Sequence, residues 1–407
     1  MVGRISGRQA ARFGAVALAI LAGLSSPAPV AFGAPDGGNA AVAEPGGKAG
    51  SIAALAKRYD SGPCADCHKD AHARWKRSTH ASSIYSGGTT AAALAKTIRE
   101  GLLSWPGTGI KSTREVRVEH LMICAKCHLP QLADATDEVA REIAETVEEW
   151  QAGVDGNDAA RRDRAAEKLG TLNIGCLVCH NRNAVIHKLV DGFPDGGAVY
   201  GSKEGAHPAP YTRLKKGTSL DSSIFCGQCH GYGPTLDLDN PVQCATDYGS
   251  YLFAYVSDGG RKSCQDCHMR QNGFGHDMKG DSSPAAGKEA VDVSVDAYGY
   301  IWRNIATNVP RVVVEVRLTN KAGHAIPAGP PSNRHLVLET VATGSDDNVV
   351  LFTGRRGYRV GHQRLGRGKQ EATGPHDSSG IVGSSALPPE KTVRERFDFL
   401  LPSEDSL

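Results

Sequence analysis

One five-residue pattern, Cys-x-x-Cys-His, constrains this chain more than any other feature. It occurs as CADCH (64–68), CAKCH (124–128), CLVCH (176–180), CGQCH (226–230) and CQDCH (264–268). Histidine supplies only 15 of the 407 residues, so its return after every second cysteine points to a chemical requirement. A zinc knuckle needs four ligands converging on one ion and demands no histidine abutting a cysteine. A redox dithiol would occur once, inside a strand–helix frame. Covalent haem attachment uses all three residues: two thiols add to the porphyrin vinyl groups and the adjacent histidine coordinates the iron. The pattern implies five c-type haems, held by Cys64/Cys67, Cys124/Cys127, Cys176/Cys179, Cys226/Cys229 and Cys264/Cys267. His68, His128, His180, His230 and His268 would be their proximal ligands.

The N-terminus fits that chemistry. Arg4, Arg8 and Arg12 precede the apolar run FGAVALAILAGL (13–24), and small residues follow toward Gly33 and Ala34. Residues 1–34 read as a secretory signal peptide, with an uncleaved N-terminal anchor as the alternative. A periplasmic or secreted location follows, because thioether haem proteins are assembled after export. Without the three signal arginines, 43 basic side chains face 44 acidic ones. That balance gives no electrostatic footprint for nucleic acid.

Three further parts follow the signal. Residues 35–50 (PDGGNAAVAEPGGKAG) read as a flexible leader. Residues 51–284 hold every haem motif, at a density that suggests stacked porphyrins in place of a protein core. Within them, TDEVAREIAETVEEW puts Val139, Ile143, Val147 and Trp150 on one helical face, with Thr136 or Asp137 as cap. A second helix over about 157–169, ending at Gly170, completes a helical hairpin insertion at 136–170. Its dense charge reads as a solvated face. Residues 285–407 change character: VVVEVRLTN (312–320), HLVLETVA (335–342), VVLFTG (349–354) and VRERFDFLL (393–401) are strand-like runs between turns. The expected fold is a mainly α/irregular multihaem domain followed by an all-β, immunoglobulin-like sandwich. The chain stops just after a strand-like run, so the sandwich reads as incomplete at its C-terminus.

CADCHKDAHARWKRSTHAS, with Trp75 and the Ser78–Ala81 segment, resembles the opening of cytochrome c554-like multihaem cytochromes. GCLVCHNRNAVIHK, FCGQCHG and CQDCHM resemble other segments of such secreted proteins, and TNKAGHAIPAG (319–329) resembles a turn in their C-terminal β-domains. The resemblance covers roughly 50–330. It implies closely packed haems, mostly bis-histidine ligated, in a periplasmic or extracellular electron carrier.

Ten histidines lie outside the motifs. His72 stands one helical turn after His68 and cannot cross to the far side of the same ring. His80, His120, His187, His207 and His276 are the expected distal ligands: His120 precedes CAKCH, His187 and His207 flank a Gly-rich loop, and His276 sits in GFGHDM. His324, in the turn NKAGHAIPAGPP after a strand, is a distal ligand reaching across the domain boundary or a loop histidine bonded to its own backbone. His335, His362 and His376 read as surface or packing residues. Of the methionines, Met278 alone is placed to compete; Met122 and Met269 lie too close to their own motifs. Cys244 is the one cysteine outside the motifs and reads as a small buried hydrophobe, with an intermolecular disulfide or a thiolate ligand as alternatives.

The expected function is single-electron transfer between redox protein partners. These include a membrane-associated quinol oxidase complex or an extracellular acceptor, and a homo-oligomer is a further expectation. Two alternatives stand beside it: a multihaem oxidoreductase of small nitrogen or sulfur compounds with one open haem, and a structural or docking subunit. Tyr232, Tyr248 and Arg270 lie near motifs and would be candidates around an open face.

Overall fold

The structure is a computed structural model. It describes residues 47–85, 88–104, 106–181, 195–231, 247–270, 275–278, 289–303, 308–328, 335–343, 350–364, 370–371 and 378–401. The signal segment, His187, Tyr232, Cys244 and His376 lie outside these residues.

The helical part opens with α1 (Ile52–Arg58), whose first turn is capped by the Ser51 hydroxyl accepting the Ala54 N–H. α2 (Lys69–Lys76) and α3 (Thr89–Lys96) follow, the latter winding into a π-turn over Thr97–Leu102. α4 (Val118–His128) carries the second motif at its C-terminal end. The expected hairpin is present as α5 (Asp137–Asp155) and α6 (Ala159–Gly170), and Asp158 caps α6 by accepting the Arg161 N–H. Thr136 is the α5 N-cap residue but makes no side-chain capping bond; Asp137 instead accepts the Val118 N–H of α4. α7 (Cys176–His180) is the third motif itself.

Two sequence expectations change here. The leader is tied down before its expected end: Ala49 is buried, pairs with Ala135, and exchanges backbone hydrogen bonds with Asp134 and Thr136. The helical part also owns a side-chain core. Val139, Ile143, Val147 and Trp150 of α5 pack in one cluster with Leu55, Leu94, Ile98, Leu121, Leu129 and Leu132. An amphipathic stripe this wide needs a partner surface, and α1, α3 and α4 supply it.

Residues 195–278 are built differently. A three-stranded sheet that the sequence pattern did not suggest is formed by β1 (Ala198–Gly201), β2 (Gly205–Ala206) and β3 (Arg213–Lys216), in the order β1-β3-β2. α8 (Ser223–Gly227) begins the fourth motif; α9 (Asp247–Ser250) continues as a π-turn over Tyr251–Val256.

The β-rich part contains β4 (Val291–Arg303), β5 (Asn308–Asn320), β6 (His335–Thr343), β7 (Val350–Arg364), β8 (Ser378–Ser384) and β9 (Thr392–Leu400). They form two antiparallel three-stranded sheets, β4-β5-β9 and β6-β7-β8. The sheets meet through Val314, Val316, Leu318, Phe397 and Phe399 on one side and Leu336, Leu338, Phe352 and Tyr358 on the other. Phe352 and Phe399 stack with centroids 4.7 Å apart. Antiparallel alternation explains the register, since every second residue of β5 faces inward. Among the described residues no helix is long and apolar enough to cross a membrane.

Candidate metal centres

Each motif lies on or beside a short helical turn. On a helix, positions i, i+3 and i+4 share one face, which is where the two cysteines and the histidine of Cys-x-x-Cys-His fall. The first motif runs through a 3₁₀ turn (Gly62–Asp66) to His68, the N-cap residue of α2. The second closes α4, the third is α7, the fourth begins in α8, and the fifth enters the turn Asp266–Arg270.

Four of the five motif histidines face a second imidazole from far along the chain. Ring centroids are 6.4 Å apart for His68–His207, 6.0 Å for His80–His230, 6.2 Å for His180–His276 and 6.3 Å for His268–His324. Ring planes are inclined by 10°, 79°, 36° and 13° in the same order. Two imidazoles sharing one metal at about 2.0 Å per bond, with about 1.1 Å from nitrogen to centroid, would stand about 6.2 Å apart. The spacing fits a metal ion between each pair.

The surrounding hydrogen bonds agree. A backbone carbonyl only accepts, so the ring nitrogen that meets it must carry the proton. His180 Nδ1 donates to the Tyr200 carbonyl at 2.7 Å, and His207 Nδ1 meets the Tyr211 carbonyl at 2.9 Å and that of Pro208 at 3.0 Å. Both rings keep Nε2 as the unprotonated nitrogen, which is how a ligating histidine is oriented. His80 is pushed down to about 4 by burial and by the neighbouring His230 and His128 rings. Its buried Nδ1 has no hydrogen-bond partner among the described residues. His276 sits in the turn Gly275–Asp277, where Asp277 is buried and ion-paired with Arg77 at 3.0 Å. Gly275 has positive φ and packs on Arg74, so this turn is pinned to α2.

His120 is placed otherwise. Its Nδ1 accepts the Arg117 N–H at 3.0 Å, closing the first turn of α4, and Nε2 lies 3.6 Å from Glu119. It meets no motif histidine, because capping the helix start has claimed the ring. His72 packs on Trp75 at 5.3 Å, and His335 is exposed at the start of β6. His362 lies within β7. Met122 packs against the helical core, and Met278 adopts φ 44° beside Asp277. His128 is pushed down by burial, and Ser83 donates to its carbonyl at 2.7 Å. Among the described residues no imidazole stands opposite it at a comparable spacing.

The thiols show which motifs adjoin. Cys64 contacts Cys176, Cys127 contacts Cys229, and Cys226 contacts Cys264. Cys179 lies near enough to Cys226 and Cys229 to raise both. Cys67, expected to anchor a haem together with Cys64, departs from this pattern. It is exposed, whereas the other motif cysteines are all partly buried. The backbone gives the reason. Cys67 is the C-cap residue of the 3₁₀ turn, its N–H donating to the Cys64 carbonyl. It therefore sits where one helical turn has ended and α2 has not begun.

Two serines that the motif pattern did not single out support the thiol contacts. Ser61 Oγ accepts the Cys176 N–H at 2.9 Å, and Ser223 Oγ accepts the Cys264 N–H at 3.0 Å. Both serines are buried. Each stands three residues before the first cysteine of its own motif, as SGPCADCH and SIFCGQCH, a pattern the other three motifs lack. An added Cβ at Gly175 would come within 2.5 Å of Ser61 Oγ, so the approach requires glycine.

No protein-family model and no curated protein matches the chain. Among solved structures it is similar to a penta-heme cytochrome c552 from Thermochromatium tepidum. The identity is 16% and the TM-score 0.49, over 84% of this chain and 88% of that one. A likeness this distant carries no weight for the chemistry, which rests on the residues above. Trp75 shows how they are held together. Its indole N–H donates to the Ile174 carbonyl at 2.9 Å, the Ile174 N–H donates to the His80 carbonyl at 2.9 Å, and Gln131 donates to the Asn173 carbonyl. One short length of chain ahead of α7 thus ties the first, second and third motifs together with His80.

Proposed function

We propose that this protein is an exported five-haem c-type cytochrome that carries single electrons between redox partners. The observation that carries the reading is the set of imidazole pairs at the spacing of two axial ligands. On this reading His68 and His207, His180 and His276, and His230 and His80 each hold one haem from both sides. His187, also expected as a distal ligand, lies outside the described residues. When bound, each haem supplies one reversible electron at its iron, and two imidazoles keep its potential low.

The chain's own contribution is positional. The thiol contacts connect motif one to motif three and motif four to both two and five, and the nearness of Cys179 to Cys226 and Cys229 brings motif three beside motif four. That makes one array with a junction at CGQCH and three ends. The exposure of Cys67 fits an end position, where one edge of the first haem would meet solvent or a partner. The carbonyls of Tyr200 and Tyr211 hold protons on Nδ1 and keep Nε2 available. Zinc fits poorly, since among the described residues no three His, Cys, Asp or Glu side chains gather as a cage would require. The signal-like N-terminus supports a periplasmic or extracellular setting, with a donor and an acceptor protein as partners.

Intact mass after denaturation tests the stoichiometry: five haems are expected on the polypeptide, and apoprotein mass would end the reading. Electron paramagnetic resonance tests the pairs. Axial planes near perpendicular leave a ferric iron almost axially symmetric, so the His80–His230 haem should give a strongly anisotropic low-spin signal. The His68–His207 haem, with planes 10° apart, should give an ordinary rhombic one.

A reductase of small inorganic nitrogen or sulfur compounds, with one open haem, is the second reading. One haem in five that is high-spin and binds carbon monoxide or nitrite in the unmodified protein would select it.

A further inference from the structure

We infer that His324 of the β-sandwich is the sixth ligand of the haem carried by Cys264, Cys267 and His268, so that the β-domain is fastened to the haem domain through iron. The inference rests on the cytochrome reading and gives the haem-free domain a role.

The two rings stand 6.3 Å apart with planes 13° from parallel, the same spacing as the three pairs inside the haem domain. His324 Nδ1 donates to the Ala325 carbonyl at 3.0 Å. That bond to its own backbone leaves Nε2 without a proton, the state a metal ligand needs. The bond orients the ring; it does not use up the histidine.

The loop that presents His324 is rigid for a reason visible in its hydrogen bonds. Asn320, at the end of β5, is completely buried. Its side-chain amide donates to the carbonyls of His324 and Leu387, both at 2.9 Å, and its oxygen accepts the Ala322 N–H at 2.8 Å. Ile326 and Leu387 exchange two further backbone bonds at 3.0 and 2.7 Å. A buried amide with all these partners holds one loop geometry, because any other leaves polar groups unpaired.

The haem domain supplies a matching seat. Ser250 Oγ accepts the Ala325 N–H at 3.0 Å, next to the ligand. Gly323 lies over the Tyr255 ring, where an added Cβ would be 3.4 Å from it. Tyr255 stacks on Tyr251 at 5.6 Å and Tyr251 on Tyr248 at 5.9 Å. Tyr248 in turn presses on Gly227 of the fourth motif, leaving no room for a Cβ there. A column of three rings therefore runs from CGQCH to the His324 loop. Lys391 and Asp258 add an ion pair at 2.8 Å across the same junction. Tyr255 and Ser250 are positioning residues on this view.

The test is His324→Ala in the full-length holoprotein. Denatured mass should still show five haems. One haem should become high-spin and bind one equivalent of carbon monoxide, and added imidazole should restore the low-spin spectrum. His324→Met should keep that haem low-spin and raise its potential alone, which covers the case in which the alanine variant does not accumulate. Tyr255→Ala should leave the spectrum low-spin but make the haem-five site bind imidazole or carbon monoxide faster. Five covalent haems with unchanged spectra in the alanine variant, or an unshifted potential in the methionine variant, would overturn the inference while leaving the cytochrome reading intact. A polypeptide without covalent haem would instead sink that reading.

Discussion

The stretch from Ala49 to His180 and the stretch from 195 to 278 both carry Cys-x-x-Cys-His motifs, yet they are stabilised differently. The first surrounds α5 with a continuous apolar cluster drawn from α1, α3, α4 and α6. In the second, the described buried apolar side chains are Ala198, Tyr200, Tyr248 and Tyr255. Burial of apolar area, at about 25 cal/mol per Å², is the main favourable contribution to folding. The first stretch can draw on its own side chains. The second has hydrogen bonds, a column of tyrosines and the positions between facing imidazoles. Porphyrin faces would provide there the apolar surface that side chains provide in the helical part.

Removing a cofactor should therefore hurt the two stretches unequally, and this is the largest effect expected. Cys226→Ala with Cys229→Ala removes attachment at the junction motif. Hydrogen exchange across 195–278 should rise to the rate of an unfolded chain, while α5 and α6 keep most of their protection. Equal loss in both stretches would break the comparison, since it would mean the helical core cannot stand alone.

The converse variant is Ile143→Ala. This side chain is only 2% exposed and lies at the centre of the helical cluster. Large-to-small changes at such sites cost about 2–5 kcal/mol. Denaturant unfolding should show a loss in that range with all haem spectra retained in native buffer. A loss under about 1 kcal/mol would show that the cluster contributes less than its burial suggests.

What was legible in the sequence follows the range of each interaction. The motifs, the α5 stripe and the β-runs are local patterns, and they folded as their spacing implied. The partner of each motif histidine was not legible, because His80 finds His230 and His68 finds His207 only after the chain has returned across the whole domain. His120 looked well placed beside CAKCH. The sequence does not show that a helix start nearby needs its Nδ1 more. Cys67 looked equivalent to every other motif cysteine, and only the break between the 3₁₀ turn and α2 sets it apart. The α5 stripe was seen, but a haem-filled interior was expected around it, so its side-chain partners in α1, α3 and α4 were missed. Ser61 and Ser223 left a trace, as the serine three residues ahead of motifs one and four.

That shared serine allows a finer comparison between the two stretches. Ser61→Ala and Ser223→Ala each leave a cysteine N–H at a helical start without its acceptor, a loss of about 1 kcal/mol. Ser223 also donates to the Tyr251 hydroxyl at 3.0 Å, so its variant should be the more costly of the two. Spectroelectrochemistry should show small shifts confined to haems one and three in the first variant and four and five in the second. Shifts spread over all five would mean that the serines do not act on their own pair.

The smallest effect is expected on the β4 face of the β-rich domain, and it tests whether that face is closed. Registered against Leu318 and Val316 of β5, Val293 and Val295 of β4 point to the same side as the buried core, yet each is 58% exposed. Val316, directly opposite Val295, is 1% exposed. The second sheet therefore covers β5 and β9 but not β4. Val316→Ala should cost about 2 kcal/mol through lost burial and the space left behind. Val293→Thr and Val295→Thr keep the β-branched shape and should change stability by no more than about 0.5 kcal/mol. Unfolding curves of the three variants decide between an open and a covered face. If the threonine variants lose as much as Val316→Ala, the β4 face is buried in solution, and sedimentation at increasing concentration then asks whether a second copy buries it. A small loss keeps β4 as an open edge, wetted on the side where β5 and β9 are dry.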